Sequence, residues 1–160
     1  MIEHPFKPII FNDTKLLILG TFPSLKSFEN SFYYAHPKNQ FWKILNRVSN
    51  YPINNRDQKI WLLKELKVGL WDIIKSCNRE NSSDNNLKNI TPNNIKELLN
   101  SYPSVKAIAF TSKNAQKIFN RYFKDLEIQT YYLPSPSPAY AAMSFEKKVK
   151  IYKELFEELL

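Results

Sequence analysis

The chain has 160 residues, 43% hydrophobic and 14% aromatic, which suits one domain with a sizeable core. One cysteine, Cys77, excludes an internal disulfide and an iron–sulfur cluster held by cysteines of one chain; with two histidines, His4 and His36, a zinc site is not expected either. The formal charge of +8 puts nucleic acid first among partners, although a composition rich in lysine and asparagine gives the same excess without that role.

Residues 1–14 read as an irregular entry with two prolines. Lys15–Leu19 is a short continuous apolar run that Gly20 ends, the pattern of a strand buried on both faces. Gly20 is one of two glycines in the chain, so backbone geometry or the close approach of a ligand is expected there. A polar and aromatic loop follows. Phe41, Ile44, Leu45 and Val48 then mark one face of a helix, with Asn39 ahead of it as a candidate N-cap. A second helix is expected from about Arg56.

Lys67–Ile74 reads as a second buried strand and Ser76–Asn89 as a polar loop. Thr91-Pro92 has the form of a helix start, with Ile95, Leu98 and Leu99 on the buried face. Val105–Phe110 is the third expected strand. After Thr111–Asn114 comes a helix carrying Ala115, Ile118, Phe119 and Tyr122. Glu127–Leu133 is the fourth strand, and it runs into Pro134-Ser135-Pro136-Ser137-Pro138. A last helix starts near Ser144, and its Lys147–Lys150 cluster reads as a solvated face. No apolar run approaches the ~18 residues of a membrane span and no secretory leader is seen, so a cytoplasmic, reducing compartment is expected.

Strands alternate with helices throughout, which predicts an α/β chain: a mostly parallel sheet with helices on both faces. Ligands of such sheets bind beyond the carboxyl ends of the strands. The segments Thr21–Asn39, Ser76–Asn89, Thr111–Asn114 and Pro134–Pro138 are therefore expected to meet at one rim. No glycine-rich phosphate loop is present, which argues against a nucleotide enzyme on a similar sheet.

Three stretches carry a resemblance. Gly20-Thr21-Phe22-Pro23-Ser24, then Tyr34-Ala35-His36-Pro37-Lys38-Asn39-Gln40-Phe41-Trp42, and Leu133 to Ala139 resemble the uracil-DNA glycosylase superfamily, above all its hypoxanthine-DNA (deoxyinosine) glycosylase branch. The middle segment from Trp71-Asp72 to Cys77 and Arg79 is similar to that branch too, so the resemblance spans nearly the whole length. It implies a single three-layer α/β/α domain over residues 1–160, with a short, mostly parallel four-stranded sheet. It implies excision of a damaged base from DNA by cleavage of the N-glycosidic bond, with no cofactor, no metal and a monomeric enzyme. The DNA would contain a deaminated base, and no membrane is involved.

A base inside a duplex has to be flipped into a pocket before it is cleaved. Tyr33, Tyr34, Phe41 and Trp42 offer rings for stacking, and Asn39, Ser82 and Ser83 offer polar groups. The pocket expected from the resemblance comprises Gly20, Phe22, Pro23, Ser24, Tyr34, Phe41, Asp72, Ser82 and Ser83. Asn39 is the expected catalytic residue, holding water by positioning it, because an amide is a poor base. His36 either donates to the departing base or braces the loop. Pro134, Ser135, Pro136, Ser137 and Pro138 form a stiff loop suited to entering DNA. Ser112 and Lys113 offer a helix N-terminus and a cation for a phosphate.

One departure from the family bears on the substrate. Several branches carry Asp or Asn near Thr21–Phe22; here Phe22 cannot activate water. That favours deoxyinosine over uracil. Plainer readings stand beside these: Asn39 as a cap, Phe41 and Trp42 as core, Asp72 as a turn cap, Cys77 as packing, and the proline run as a connector. The competing functions are a mismatch-specific uracil glycosylase and a DNA-binding module without chemistry.

Overall fold

The computed structural model describes residues 1–79, 87–138 and 140–160. Its elements in chain order are β1 (Ile2–Glu3), β2 (Leu16–Gly20), α1 (Leu25–Asn30), α2 (Phe41–Ser49), α3 (Arg56–Leu66), β3 (Val68–Asp72), β4 (Ile74–Asn78), β5 (Lys88–Pro92), α4 (Ile95–Ser101), β6 (Ala107–Phe110), α5 (Lys113–Phe123), β7 (Gln129–Tyr132) and α6 (Phe145–Leu159).

Four strands form a parallel sheet in the order β3-β2-β6-β7. The apolar runs of β2, β3 and β6 are nearly continuous because both faces are covered, whereas β7, Gln129-Thr130-Tyr131-Tyr132, is a largely exposed edge strand. Leu16, Ile18, Val68, Leu70, Ala107 and Ala109 point to one face, where they meet Phe41, Ile44 and Leu45 of α2, Leu62 and Leu63 of α3, and Tyr152, Leu155 and Phe156 of α6. Leu17, Leu19, Ile108 and Phe110 point to the other, against Ile95 and Leu98 of α4 and Ala115 and Phe119 of α5. The period-2 alternation of the strands thus divides the core into two layers. This is the α/β architecture that the sequence predicts.

The connection from β2 to β3 runs through α2 and α3 on one face, and that from β6 to β7 through α5 on the other. The connections thus diverge between the adjacent carboxyl ends of β2 and β6, the usual place for a ligand in such sheets. Thr21 and Ser112 meet there, with their hydroxyl oxygens 2.6 Å apart.

Three expectations are corrected. First, β4 lies in the segment expected to be a loop after the second strand. It pairs antiparallel with β1 and β5 in a separate sheet of order β1-β4-β5. At the rim the second parallel strand therefore ends at Asp72 and is followed by Ile73, not by Ser76. Second, the N-terminal segment is not irregular throughout. Ile2 and Glu3 pair with Cys77 and Ser76, and Ile9 forms an antiparallel bridge to Leu70. That bridge covers the outer edge of β3. Third, Thr91 and Pro92 end β5 rather than start a helix. β5 is an edge strand, where a proline without an N–H is tolerated. The true cap of α4 is Asn94, whose Oδ1 accepts from the Glu97 N–H at 3.1 Å.

Candidate active site

Gly20 is the last residue of β2 and lies opposite Asp72 of β3. It does not need a positive φ. What it needs is space: a Cβ there would stand 2.5 Å from Asp72 Oδ1, 3.2 Å from the Tyr34 hydroxyl and 3.6 Å from Thr111 Oγ1. Three oxygens from β3, the β2–α2 loop and the end of β6 thus converge above the glycine. Close approach therefore explains Gly20, but it is the approach of the chain's own side chains, and backbone geometry does not require the glycine.

Asp72 is 5% exposed. Its Oδ2 accepts from His4 Nε2 at 2.8 Å, and its backbone carbonyl accepts from the Asn93 side-chain amide at 2.8 Å. A buried carboxylate without such a donor would be strongly destabilising. The negative charge is felt nearby: burial raises the Tyr33 hydroxyl pKa far above the ordinary tyrosine value, with further upward contributions from Asp72 and Tyr34. Tyr33 donates to the Lys7 carbonyl at 2.9 Å.

Tyr34 has φ 53°, an unusual backbone for a bulky residue. That turn lays its ring on Phe41 at 4.2 Å between centroids and brings its hydroxyl within 3.4 Å of Thr111 Oγ1. Tyr34 also lines a cleft of about 420 Å³ with His36, Asn39, Phe32, Trp42, Lys43, Arg56 and Lys59. It is therefore the link between the oxygen cluster and the cleft. The far wall is cationic: Arg56 lies 4.9 Å from the Phe32 ring centroid and Lys59 lies 5.5 Å from that of Trp42. Burial, then the neighbouring Arg56, lowers the Lys59 pKa.

Asn39 and His36 form the turn into α2. Asn39 Oδ1 accepts from the Phe41 N–H at 2.9 Å, so it caps the helix from one residue further out than the backbone cap, Gln40. An amide oxygen has two lone pairs, and this bond uses one. His36 Nδ1 accepts from the Lys38 N–H at 3.0 Å, and its carbonyl accepts from the Asn39 N–H at 2.9 Å. Its ring proton is therefore assigned to Nε2.

The Pro/Ser loop is held from two sides. The Pro134 carbonyl accepts from Tyr152 at 2.8 Å, and the Pro136 carbonyl accepts from the Gln40 N–H at 2.9 Å. Pro134 and Pro136 are buried and Pro138 is exposed. Ser135 Oγ accepts from the Ser137 N–H at 3.2 Å. Lys148 is a further correction to the sequence reading. It is 1% exposed rather than solvated, and its Nζ donates to Gln40 Oε1 at 2.9 Å and to the Tyr140 carbonyl at 3.0 Å. One buried cation thus ties both rim loops to α6, and burial lowers its pKa.

Other expected site residues are placed differently. Phe41 is fully buried and Phe22 is 8% exposed, so both are core rather than open stacking surface. Phe22 packs against His4 and Phe28, with the Arg79 guanidinium 5.0 Å from its ring centroid. Pro23 is buried and its carbonyl accepts from Arg79. Ser24 caps α1, accepting from the Ser27 N–H. Ser112 caps α5, accepting from the Ala115 N–H at 3.0 Å, and Lys113 is exposed on its first turn. Ser82 and Ser83 lie outside the described residues. Cys77 is fully buried in β4, as a packing residue would be, and burial raises its pKa.

His4 carries no local signal in the sequence. It acts on a residue 68 positions away, and only the β1–β4 pairing brings it there. Thr111 falls in a segment expected at the rim. Among the described residues, no group of three or more His, Cys, Asp or Glu side chains is placed to hold a metal ion, and no helix is long and apolar enough to cross a membrane.

The family model for the uracil DNA glycosylase superfamily matches residues 8–160. The chain belongs to this superfamily. It is a DNA glycosylase, a hydrolase acting on N-glycosyl bonds, and DNA is its substrate. It is 32% identical over 117 residues to a protein of Methanosarcina barkeri named hypoxanthine DNA glycosylase, covering 72% of this chain and 74% of that one. A protein of the same name from Methanosarcina acetivorans is 29% identical over 141 residues, covering 87% of this chain and 89% of the other. The solution NMR structure of a candidate uracil DNA glycosylase from M. acetivorans superposes with a TM-score of 0.84 at 27% identity, covering 99% of this chain and 98% of its own.

Proposed function

We propose that this glycosylase removes hypoxanthine from deoxyinosine in DNA, hydrolysing the N-glycosidic bond to leave an abasic site. The observation that carries the reading is the Asp72 carboxylate beside Gly20 and Tyr34. A carboxylate only accepts hydrogen bonds. Hypoxanthine, like uracil, presents a ring N–H to such an acceptor at the edge remote from the sugar, so that bond alone does not separate the two bases. The same charge discriminates at the bond-breaking step. Uracil departs as an anion, and two like charges ~4 Å apart repel by roughly 4 kcal/mol at an effective dielectric near 20. A purine protonated on its other ring departs neutral and escapes that repulsion.

In this reading Asn39 positions the attacking water with the lone pair that its helix cap leaves free. His36, with its proton on Nε2, stands beside Asn39 in the cleft as a donor toward the departing base. Tyr34 supplies the stacking ring, supported from behind by Phe41. Pro138 leads the Pro/Ser loop into the DNA, and Lys113 at the start of α5 meets a phosphate. The enzyme is expected to work as a monomer without metal or cofactor. The names of the two Methanosarcina relatives support the substrate.

The test is base release from duplexes carrying hypoxanthine, uracil or xanthine, with wild type and Asn39→Ala. Hypoxanthine release that Asn39→Ala lowers by about 100-fold is expected. Faster release of uracil from a G mismatch would instead establish the uracil reading. Salt-sensitive duplex binding with no release of any base would mark a binding module.

A further inference from the structure

His4 lies outside every motif that identifies the family, yet it makes the one side-chain hydrogen bond to the Asp72 carboxylate among the described residues. The two side chains are 3% and 7% exposed, so the contact is a built one rather than a surface pair. The His4 backbone N–H donates to the Lys75 carbonyl at 2.7 Å, which fixes the residue to β4. Its ring is enclosed by Phe6, Phe22 and Tyr33, at centroid distances of 5.6, 5.8 and 6.0 Å. The second ring nitrogen is engaged too: Nδ1 lies 2.9 Å from the Phe6 carbonyl oxygen and 3.1 Å from the Phe6 backbone nitrogen. At the other nitrogen the carboxylate oxygen can only accept, so Nε2 donates to Oδ2 of Asp72.

The consequence is asymmetry in the carboxylate. Oδ2 is occupied by His4, and Oδ1 is the oxygen that faces the space above Gly20, near the Tyr34 hydroxyl and Thr111 Oγ1. A free carboxylate would present either oxygen and could turn about its last torsion, which is broad. Here the imidazole stops that rotation.

We propose that His4 is a positioning residue for base recognition, which holds Asp72 so that Oδ1 alone faces the flipped base, accepts its ring N–H and keeps its charge where it disfavours the departure of a uracil anion, and so sets the preference for hypoxanthine over uracil. This rests on the reading that the space above Gly20 receives the base. His4 touches neither base nor sugar. It acts through Asp72, and it does so from a segment that the β1–β4 ladder brings across the edge of the sheet.

The experiment compares wild type, His4→Phe, His4→Gln and Asp72→Asn in single-turnover release of hypoxanthine and of uracil, with duplex affinity and melting temperature measured for each. Gln carries an amide N–H about as far from Cα as Nε2 and can donate to the same oxygen; Phe fills the aromatic site but cannot donate. Expected are a fall of about tenfold or more in hypoxanthine release by His4→Phe, a shift of the hypoxanthine-to-uracil ratio toward uracil, and unchanged duplex affinity. His4→Gln should restore the ratio to within about threefold of wild type, and Asp72→Asn should shift it in the same direction as His4→Phe. If His4→Phe does not fold, His4→Asn, too short to reach Oδ2, is read against His4→Gln in the same way. An unchanged ratio in the non-donating variant overturns the proposal, as does loss of activity in both variants in step with a lowered melting temperature. The reading of the site fails separately: wild type would then release no hypoxanthine, or Asp72→Asn would leave the ratio untouched.

Discussion

Replacing Gly20 by alanine adds one methyl group where three oxygens meet. The new carbon would stand 2.5 Å from Asp72 Oδ1 and 3.2 Å from the Tyr34 hydroxyl. Carbon–heavy-atom contacts are comfortable from about 3.5 Å, so roughly 1 Å has to be found. Asp72 cannot supply it freely, because it is 5% exposed and His4 holds its other oxygen at 2.8 Å. Overpacking of this kind costs about 1–3 kcal/mol, and breaking a hydrogen bond to a charged group about 1.5–3. Stiffening of the unfolded chain returns about 0.4–1 kcal/mol. A net loss of about 1.5–5.5 kcal/mol is expected, or a melting temperature lower by roughly 3–20 °C for a chain of this size. Base release should fall further than stability does, by about 100-fold, because the displaced carboxylate is the proposed reader. Urea unfolding and single-turnover release measure both. The crowding also predicts non-additivity: with Asp72→Ala in the background, the alanine at 20 should be nearly free of penalty. A Gly20→Ala protein within 0.5 kcal/mol of wild type and fully active would refute the reasoning.

Lys148→Met removes the donor that ties Gln40 to the Tyr140 carbonyl; base release should drop by about tenfold while melting temperature changes little, because a desolvated charge is removed along with its bonds. Alkaline titration should unfold the protein progressively above pH ~10: burial raises the pKa of Tyr33 and of Tyr152, so their contribution is intact below the ordinary tyrosine value and is lost as the unfolded chain deprotonates first. Tyr152→Phe should flatten that loss, at the expense of about 1 kcal/mol for its bond to the Pro134 carbonyl. Cys77→Ala should leave base release within about twofold of wild type and lower stability by no more than about 1–2 kcal/mol, since the thiol is buried packing. No lysine is placed as a Schiff-base nucleophile in this reading, so borohydride should trap no enzyme–DNA adduct during base release; a trapped adduct would overturn the hydrolytic mechanism.

What the sequence discloses here is what depends on local pattern. The runs ending at Gly20 and Phe110, and the one leading to Asp72, are apolar because those strands are covered on both faces, and that signal needs no partner to be read; the edge strand ending at Tyr132 is read instead from its β-branched and aromatic residues. The caps at Ser112 and Ser144 are legible for the same reason: the side chain and the N–H it accepts from lie three residues apart. The second sheet is not legible. Ile2 and Glu3 pair with residues over seventy positions away, β4 and β5 have register shifts between them, and their residues lack strict alternation. Lys148 misleads for a different reason. It sits among Lys147 and Lys150 on a charged helix, and only the two rim loops folding over α6 bury it.

The site follows the same division. Asn39 and Tyr34 lie in the stretch that carries the resemblance, but the arrangement that distinguishes this chain depends on Asp72, and Asp72 is fixed from four directions that no local pattern encodes. Gly20 borders it through the parallel ladder, Asn93 holds its carbonyl, the Ile9–Leu70 bridge covers its strand, and His4 takes one carboxylate oxygen. A side chain held this firmly has little freedom to adapt to different bases. Its remaining oxygen is presented in one place, over the residue that has no Cβ. The scarcity of glycine is then informative. The other glycine, Gly69, also serves close approach, with the Ile9 carbonyl 3.0 Å from where its Cβ would be. Both glycines flank the same edge of the sheet: one admits the N-terminal segment against β3, and the other leaves room for the carboxylate that this segment orients.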